Sequence, residues 1–560
     1  MPGPMATGRL TPVSEDGWKL AVPWAYTADV TTLAASTATQ VDSADVTRHG
    51  VGHGDEPTGM PPENAALYSA LTARDPRFDG VFFVGVTSTG IYCRPICPAR
   101  TPKPEHCRFF PTAAAAEQAS FRPCLRCRPE LAPGNAPIDG APRIAVRIMD
   151  RLVEETPDGT PSLTHLAEEF GLSERQLRRI VQRELGASPS GLVRTHRLLL
   201  AKQLLTETDL PVIEVAYASG FRSLRRFNDA FRTYYAMPPT RLRRRAREAP
   251  GDGGAPMSAS ETFTLRLAYR PPYDWDGTLA FLGARAMAGV EAVAQGAYLR
   301  TVRLNGHPGW IRVRHAAETD ALEVDVARGL TTVLPALLRR LRRLFDLTAR
   351  PDVIAAHLGS DPVLAEAVRA NPGLRLPGAV DPFELAVRAV LGQQVSVKAA
   401  TTLAGRFVRA FGELLPSPES GAVRRPPPLT HLFPTSATIA GRDPDEIAAL
   451  GIVGARARTI VTLADAIETG SVVLRPGSDA QRTTRALMAL PGIGPWTAQY
   501  IAMRALHLPD AFPKEDLAVR RALGGLRATE AERRAEAWRP WRSYATLHLW
   551  RMTVDRTSLS

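Results

Sequence analysis

Five cysteines lie between positions 93 and 127, and the 560-residue chain has no others. Cys93-Arg-Pro-Ile-Cys97 is a CxxxC pair and Cys124-Leu-Arg-Cys127 a CxxC pair, about thirty residues further on. This spacing suits a tetrahedral site for one Zn²⁺ with Cys93, Cys97, Cys124 and Cys127 as its thiolate ligands. Four ligands complete such a site, so Cys107 is expected to be a core or surface thiol. Spacing alone leaves open whether the metal is only structural. Arg94, Arg100, Arg122, Arg126 and Arg128 flank the cysteines. They offer phosphate contacts, against the alternative that each is a solvated surface arginine.

A second group lies near the other end. Leu490-Pro-Gly-Ile-Gly-Pro-Trp496 sits between two helical stretches and reads as a helix-hairpin-helix. Gly492 and Gly494 permit the tight hairpin and bring backbone amides close to a DNA phosphate. Alone, this motif means sequence-neutral duplex binding. A helix from Thr497 to Leu506 then leads to Asp510, Glu515 and Asp516.

Between the two groups, the pattern is helical and rich in arginine. Ser162 to Gly171 reads as an amphipathic helix ended by glycine, and Ser173 caps a second helix, Glu174 to Leu185. That helix carries Arg175, Arg178 and Arg179. A second copy runs from Val212 to Tyr235, with Gly220 in its turn, Arg222, Arg225 and Arg226 starting the later helix, and Phe221, Phe227 and Phe231 at core positions. Helix, glycine turn and basic helix make a helix-turn-helix, here doubled. Residues 241–248, RLRRRARE, are a phosphate-binding tail or a charged helix end.

The length exceeds what one core can organise. Net charge is +12, and of 69 Lys and Arg only five are Lys. A basic chain suits a polyanion, though part of the Arg bias reads as genomic. No run of eighteen apolar residues suggests a membrane span, and the N-terminus lacks a secretion signal. The cytosol is expected, with reduced thiols. Residues 1–60 read as disordered, or as a mis-assigned start with Met60 as initiator. Leu131 to Ala141 and 247–260 read as linkers, and Leu415 to Pro428 as a surface loop.

The run FDGVFFVGVTSTGIYCRPICPARTPKPEHCRFF, with FRPCLRCRPE after it, closely resembles the N-terminal domain of the Ada response proteins. The resemblance implies that Cys93 is both a zinc ligand and a sacrificial nucleophile, taking a methyl group from a methylphosphotriester in DNA. Residues 145–246 resemble the AraC-type DNA-binding domain, although Ala236-Met-Pro238 departs from that family's usual Gly-x-Ser/Thr-Pro.

Residues 261–560 resemble the AlkA 3-methyladenine DNA glycosylases through PPYDW (271–275), GLRLPGAVDPFELAVRAVLGQQVS (373–396), LPGIGPWTAQYIAMRAL (490–506) and WRPWRSYATLHLW (538–550). The resemblance implies that Asp516 is the catalytic carboxylate, stabilising an oxocarbenium-like sugar. It points to a base pocket of Trp496, Tyr500 and Trp550, with Tyr273 nearby. Gln394 stands where the family inserts a leucine into the duplex. Trp496 stands where strand-cleaving members of the superfamily have a lysine, so hydrolysis without strand cleavage is expected. The hairpin offers carbonyls near Leu490 and Ile493 to a monovalent cation. No Pro-Cys-His-Arg motif for a second methyl acceptor occurs.

The fold class expected is multidomain and mainly α. Its parts are a small α+β four-cysteine domain (61–132), an all-α double helix-turn-helix domain (142–246) and an α+β glycosylase unit. That unit has a β-sheet subdomain (261–372) and a helical helix-hairpin-helix domain (373–560). The expected function is alkylation repair joined to methylation-triggered transcriptional regulation. Double-stranded DNA is the expected partner and RNA polymerase a further one, with a monomeric chain associated with the nucleoid. The rival readings are a damage-responsive transcription factor whose glycosylase-like domain only binds DNA, and a structural zinc finger that targets the glycosylase.

Overall fold

The computed structural model describes residues 62–134, 143–152, 161–248, 261–416, 426–475 and 477–558. The N-terminal stretch 1–60 and most of the expected linkers lie outside them. Most described residues belong to one unit, Leu71–Ser560.

After a first helix α1 (Pro62–Ala73), four short strands form a sheet in the order β3-β1-β2-β4. They are β1 (Phe83–Val86), β2 (Ile91–Cys93), β3 (Cys107–Phe110) and β4 (Arg122–Pro123). Val84 pairs with Cys93 across the antiparallel β1–β2 ladder. The parallel β2–β4 pairing continues as Cys124 N–H donating to Tyr92 O at 3.0 Å. The sheet thereby brings the two cysteine pairs together. Phe83, Tyr92 and Phe121 bury one face against helix α2 (Ala113–Gln118).

The helical region that follows holds α3 (Arg143–Leu152), α4 (Leu163–Glu169), α5 (Glu174–Leu185), α6 (Pro189–Glu207), α7 (Val212–Ala218), α8 (Leu224–Tyr235) and α9 (Pro239–Glu248). Ser173 caps α5 as expected, and Gln176 completes a reciprocal capping box with it. Leu177, Val181 and Leu185 recur at helical spacing and are buried. In the second copy Phe227 and Phe231 are buried and Phe221 packs on the same core. Ala236 ends α8 in the left-handed region (φ 53), where glycine would be unstrained.

Next comes a five-stranded antiparallel sheet, order β5-β9-β8-β7-β6. Its strands are β5 (Thr262–Ala268), β6 (Glu291–Ala294), β7 (Ala297–Leu304), β8 (His307–Ala316) and β9 (Ala321–Ala327). Period-two burial in β5 and β8 matches the alternation in the sequence. Helices α10 (Trp275–Gly283) and α11 (Leu334–Leu344) join the sheet's core, which is continuous with that of the second helix-turn-helix copy.

The remainder is helical and built on two cores. One gathers α12 (Pro382–Leu391), α13 (Val397–Phe411), α14 (Gly454–Glu468) and α15 (Pro495–Arg504). The other gathers α16 (Leu517–Ala522) and α17 (Arg542–Ser558) around Trp538. Leu415, expected on a surface loop, is buried with Leu299, Leu429 and Leu432, because a two-residue strand pair pulls that end inward. No helix among the described residues is long and apolar enough to cross a membrane.

Candidate metal centre and carboxylate site

The Sγ atoms of Cys93, Cys97, Cys124 and Cys127 all lie within 4.8 Å of one another. Four soft sulfur donors with neither His nor carboxylate among them fit Zn²⁺. Without a cation the four thiols cannot all ionise. The hydrogen bond to Cys124 holds the Cys93 thiol well above its ordinary range. Bonds from Cys127, Cys93 and Cys97 hold Cys124 well below it. A divalent cation resolves that conflict.

The four sulfurs are not equivalent. Cys127 accepts Arg94 N–H at 3.3 Å, and Cys124 accepts Arg126 N–H at 3.4 Å. Cys97, Cys124 and Cys127 are buried, and Cys93 is partly buried against them. Cys107 stands outside the cluster; its thiol donates to Lys103 O at 3.4 Å, and burial pushes it up to about 11.

The flanking arginines divide. Arg94 is buried against Asp79 and donates to Cys127 O at 3.0 Å. It braces the cysteine loop and is not available to DNA, which corrects the expectation for it. Arg128 is likewise held by Glu130 and Glu207. Arg100, Arg122 and Arg126 are exposed.

The second site centres on Asp516, the N-cap of α16. Its Oδ1 accepts Ala518 and Val519 N–H, both at 3.0 Å, and Trp550 Nε1–H at 3.1 Å. Its Oδ2 accepts Trp496 Nε1–H at 2.8 Å. The carboxylate is thus fixed between two indoles. Tyr500 stacks on Trp496 (centroids 5.4 Å, 15° between planes) and lies 6.2 Å from Trp550. Arg504, one turn on, donates to the Tyr500 hydroxyl at 2.9 Å. Burial raises Tyr500, but the charges of Arg504, Arg285 and Arg388 outweigh it and hold the phenol below its ordinary value. The i, i+4 spacing of Tyr500 and Arg504 was a usable sequence signal; Arg285 had none.

Tyr273 is not brought to this site. Its hydroxyl donates to Phe345 O at 2.8 Å and its ring lies 4.7 Å from Tyr269, inside the sheet's core. An aromatic stripe beside a strand serves packing here, so its expected pocket role is corrected. Asp510 is taken up by Arg539 and Arg542, and Lys514 by Glu532 at 2.7 Å.

In the hairpin, Gly492 has φ 86, and an added Cβ would fall 2.0 Å from Thr459 Oγ1. Gly494 is extended (φ −85, ψ 176) and an added Cβ would meet nothing within 4 Å. The protein's own packing therefore requires only Gly492; Gly494 borders open space. Helix α15 starts at Pro495, two residues before the expected Thr497, since proline suits a first helical position. Gln394 is exposed at φ 54 beside this hairpin. The neighbouring Gln393, which the sequence did not single out, donates to Gly492 O at 2.8 Å and Thr497 Oγ1 at 3.0 Å. Arg175, Arg178, Arg179, Arg222 and Arg225 are all exposed on the basic helices or at their start, opposite the buried faces.

These features define a class: a four-thiolate domain and a double helix-turn-helix, joined to a helix-hairpin-helix fold with a carboxylate between indoles. Residues 66–130 match the metal binding domain of Ada, and 166–245 match a helix-turn-helix domain. Residues 264–381 match the AlkA N-terminal domain, and 387–543 the HhH-GPD superfamily of base excision DNA repair proteins. The chain is 44% identical over 490 residues to a probable bifunctional transcriptional activator/DNA repair enzyme AlkA of Mycobacterium tuberculosis, covering 86% of this chain and 95% of that protein. It is 37% identical to DNA-3-methyladenine glycosylase 2 of Escherichia coli, over 51% of this chain and 95% of that one. It is 38% identical to the bifunctional transcriptional activator/DNA repair enzyme Ada of E. coli, over 22% of this chain and 33% of that one. The chain belongs to the family of bifunctional Ada–AlkA transcriptional activators and DNA repair enzymes.

Proposed function

We propose that the chain repairs alkylated DNA by two separate reactions and reports one of them to transcription. Cys93 takes the methyl group of a backbone methylphosphotriester. Its less complete burial, beside three buried cysteines of which two accept backbone N–H bonds, supports this reading. Cys93, Cys97, Cys124 and Cys127 hold Zn²⁺, which when bound keeps the sulfurs deprotonated at neutral pH. Methylation turns one thiolate into a neutral thioether, so the site becomes less negative and repels DNA phosphate less. The exposed arginines Arg175, Arg178, Arg179, Arg222 and Arg225 bind promoter DNA, and a monomer bound there recruits RNA polymerase.

Asp516 drives base excision. The hydrogen bonds from Trp496 and Trp550 hold its carboxylate in place to stabilise positive charge on the sugar as the N-glycosidic bond breaks. Trp496, Tyr500 and Trp550 stack on the flipped, electron-poor base. Gln394 fills the gap left in the duplex, and Gly492 and Gly494 present backbone amides to phosphate, with a monovalent cation on the hairpin carbonyls. Reaction is by hydrolysis without strand cleavage. Trp496 cannot form a Schiff base, and the bond to Glu532 raises Lys514 above its ordinary range and keeps it an ammonium.

Methylated duplex carrying labelled methyl groups tests both assignments. Cys93→Ala is expected to abolish label on the protein and leave base release intact, and Asp516→Asn the reverse. Label on a Cys93→Ala chain, or full base release by Asp516→Asn, overturns the corresponding role.

A further inference from the structure

A cavity of about 480 Å³ opens beside Cys93, and its walls come from two domains. The four-cysteine domain contributes Cys93, Cys97 and Cys124 with Arg100, Arg122 and Arg126. The second helix-turn-helix copy contributes Tyr235, Met237 and Arg245. The left-handed turn at Ala236 separates Tyr235 from Met237 and leads into α9, which carries Arg245.

The charge in this cavity is one-sided. Elsewhere in the four-cysteine domain Arg77, Arg94 and Arg128 each have a carboxylate partner. Arg100, Arg122, Arg126 and Arg245 have no side-chain partner among the described residues, and no Asp or Glu lines the cavity. Val84, Val86, Ile91 and Leu125 supply an apolar surface next to them. Guanidinium groups, an apolar wall and the sulfur of Cys93 lining the same cavity together suit a phosphate ester that carries a small alkyl group.

We propose that Arg245 is a phosphate-binding residue of the methyl-acceptor cavity, so that the second helix-turn-helix copy takes part in methyl transfer. This rests on the reading of Cys93 as methyl acceptor. In the transfer, a sulfur lone pair forms the S–C bond and the methyl C–O bond breaks. The bonding pair stays on the phosphate oxygen, so a neutral triester becomes an anionic diester and no proton moves. Negative charge grows on the phosphate during the step, and N–H donors fixed around it favour the transition state over the neutral substrate.

The test uses the full zinc-loaded chain and two methyl donors, with Cys93 methylation read by peptide mass. One donor is a duplex with a single backbone methylphosphotriester; the other is methyl iodide, which has no phosphate to bind. Arg245→Gln is expected to slow transfer from the duplex by about ten-fold, with the methyl iodide rate within about two-fold of the parent, and Arg245→Lys, which keeps the charge but not the fork, to restore part of the loss. Equal rates from the duplex overturn the role of Arg245, and so does an equal slowing with both donors, which would place its effect on the thiolate site. Absence of methyl on Cys93 of the parent chain would instead overturn the underlying reading of Cys93.

Discussion

Asp516 accepts four hydrogen bonds, two from indoles and two from the backbone it caps. Its position is therefore held by both tertiary and local structure. Asn caps a helix about as well as Asp but its amide NH₂ cannot accept the Trp496 bond, so Asp516→Asn is expected to cost only about 1–3 kcal/mol of stability while base release falls about a hundred-fold or more. Thermal unfolding beside a single-turnover assay checks this; a large drop in midpoint would mean that lost structure, not lost charge, removed the activity. At this scale each cysteine pair was legible in its short, local spacing, whereas Asp516 was singled out from Asp510 and Glu515 only by the family resemblance. Arg94 was not, because its partner Asp79 is set by the tertiary fold. Nor was Tyr273, whose hydroxyl is satisfied by a carbonyl far along the chain.

Among elements, helix α2 meets α6 through a buried carboxylate. Glu117 accepts Tyr92 O–H at 3.0 Å and Thr195 O–H at 2.5 Å, and burial pushes it up to about 7. A carboxyl raised in the folded state favours folding fully below its ordinary value of 4.5, and that contribution is lost as pH rises through about 7. The stability difference between the parent and Glu117→Gln is expected to change by on the order of 3 kcal/mol between pH 4.5 and 7.5. Urea midpoints at several pH values measure it, and a constant difference would refute it. Helix limits such as α5 were readable from caps and periodicity, because both are local. The docking of α2 on α6 was not, since nothing in Ala113–Gln118 names its partner.

For the whole molecule, single side chains join the domains. Arg270, fully buried, donates to Asp79 O at 2.9 Å, Gly134 O at 2.9 Å and Thr348 O at 2.7 Å, tying the four-cysteine domain to the sheet. Lys202 of α6 donates to Cys124 O at 3.0 Å and Glu130 at 2.5 Å, and Gln203 of the same helix reaches Arg266 O at 2.7 Å. Arg270→Ala strands several carbonyls and is expected to cost about 2–4 kcal/mol, splitting one calorimetric transition into two; an unchanged single transition would contradict this. In the proposed function one chain holds a single-use thiolate and a turnover carboxylate. The most direct measurement follows both products from one labelled methylated duplex. Methyl on the protein should plateau at about one per chain, all on Cys93, while free methylated purine keeps rising past one per chain. Methyl on another residue, or base release that stops at one equivalent, would contradict the account.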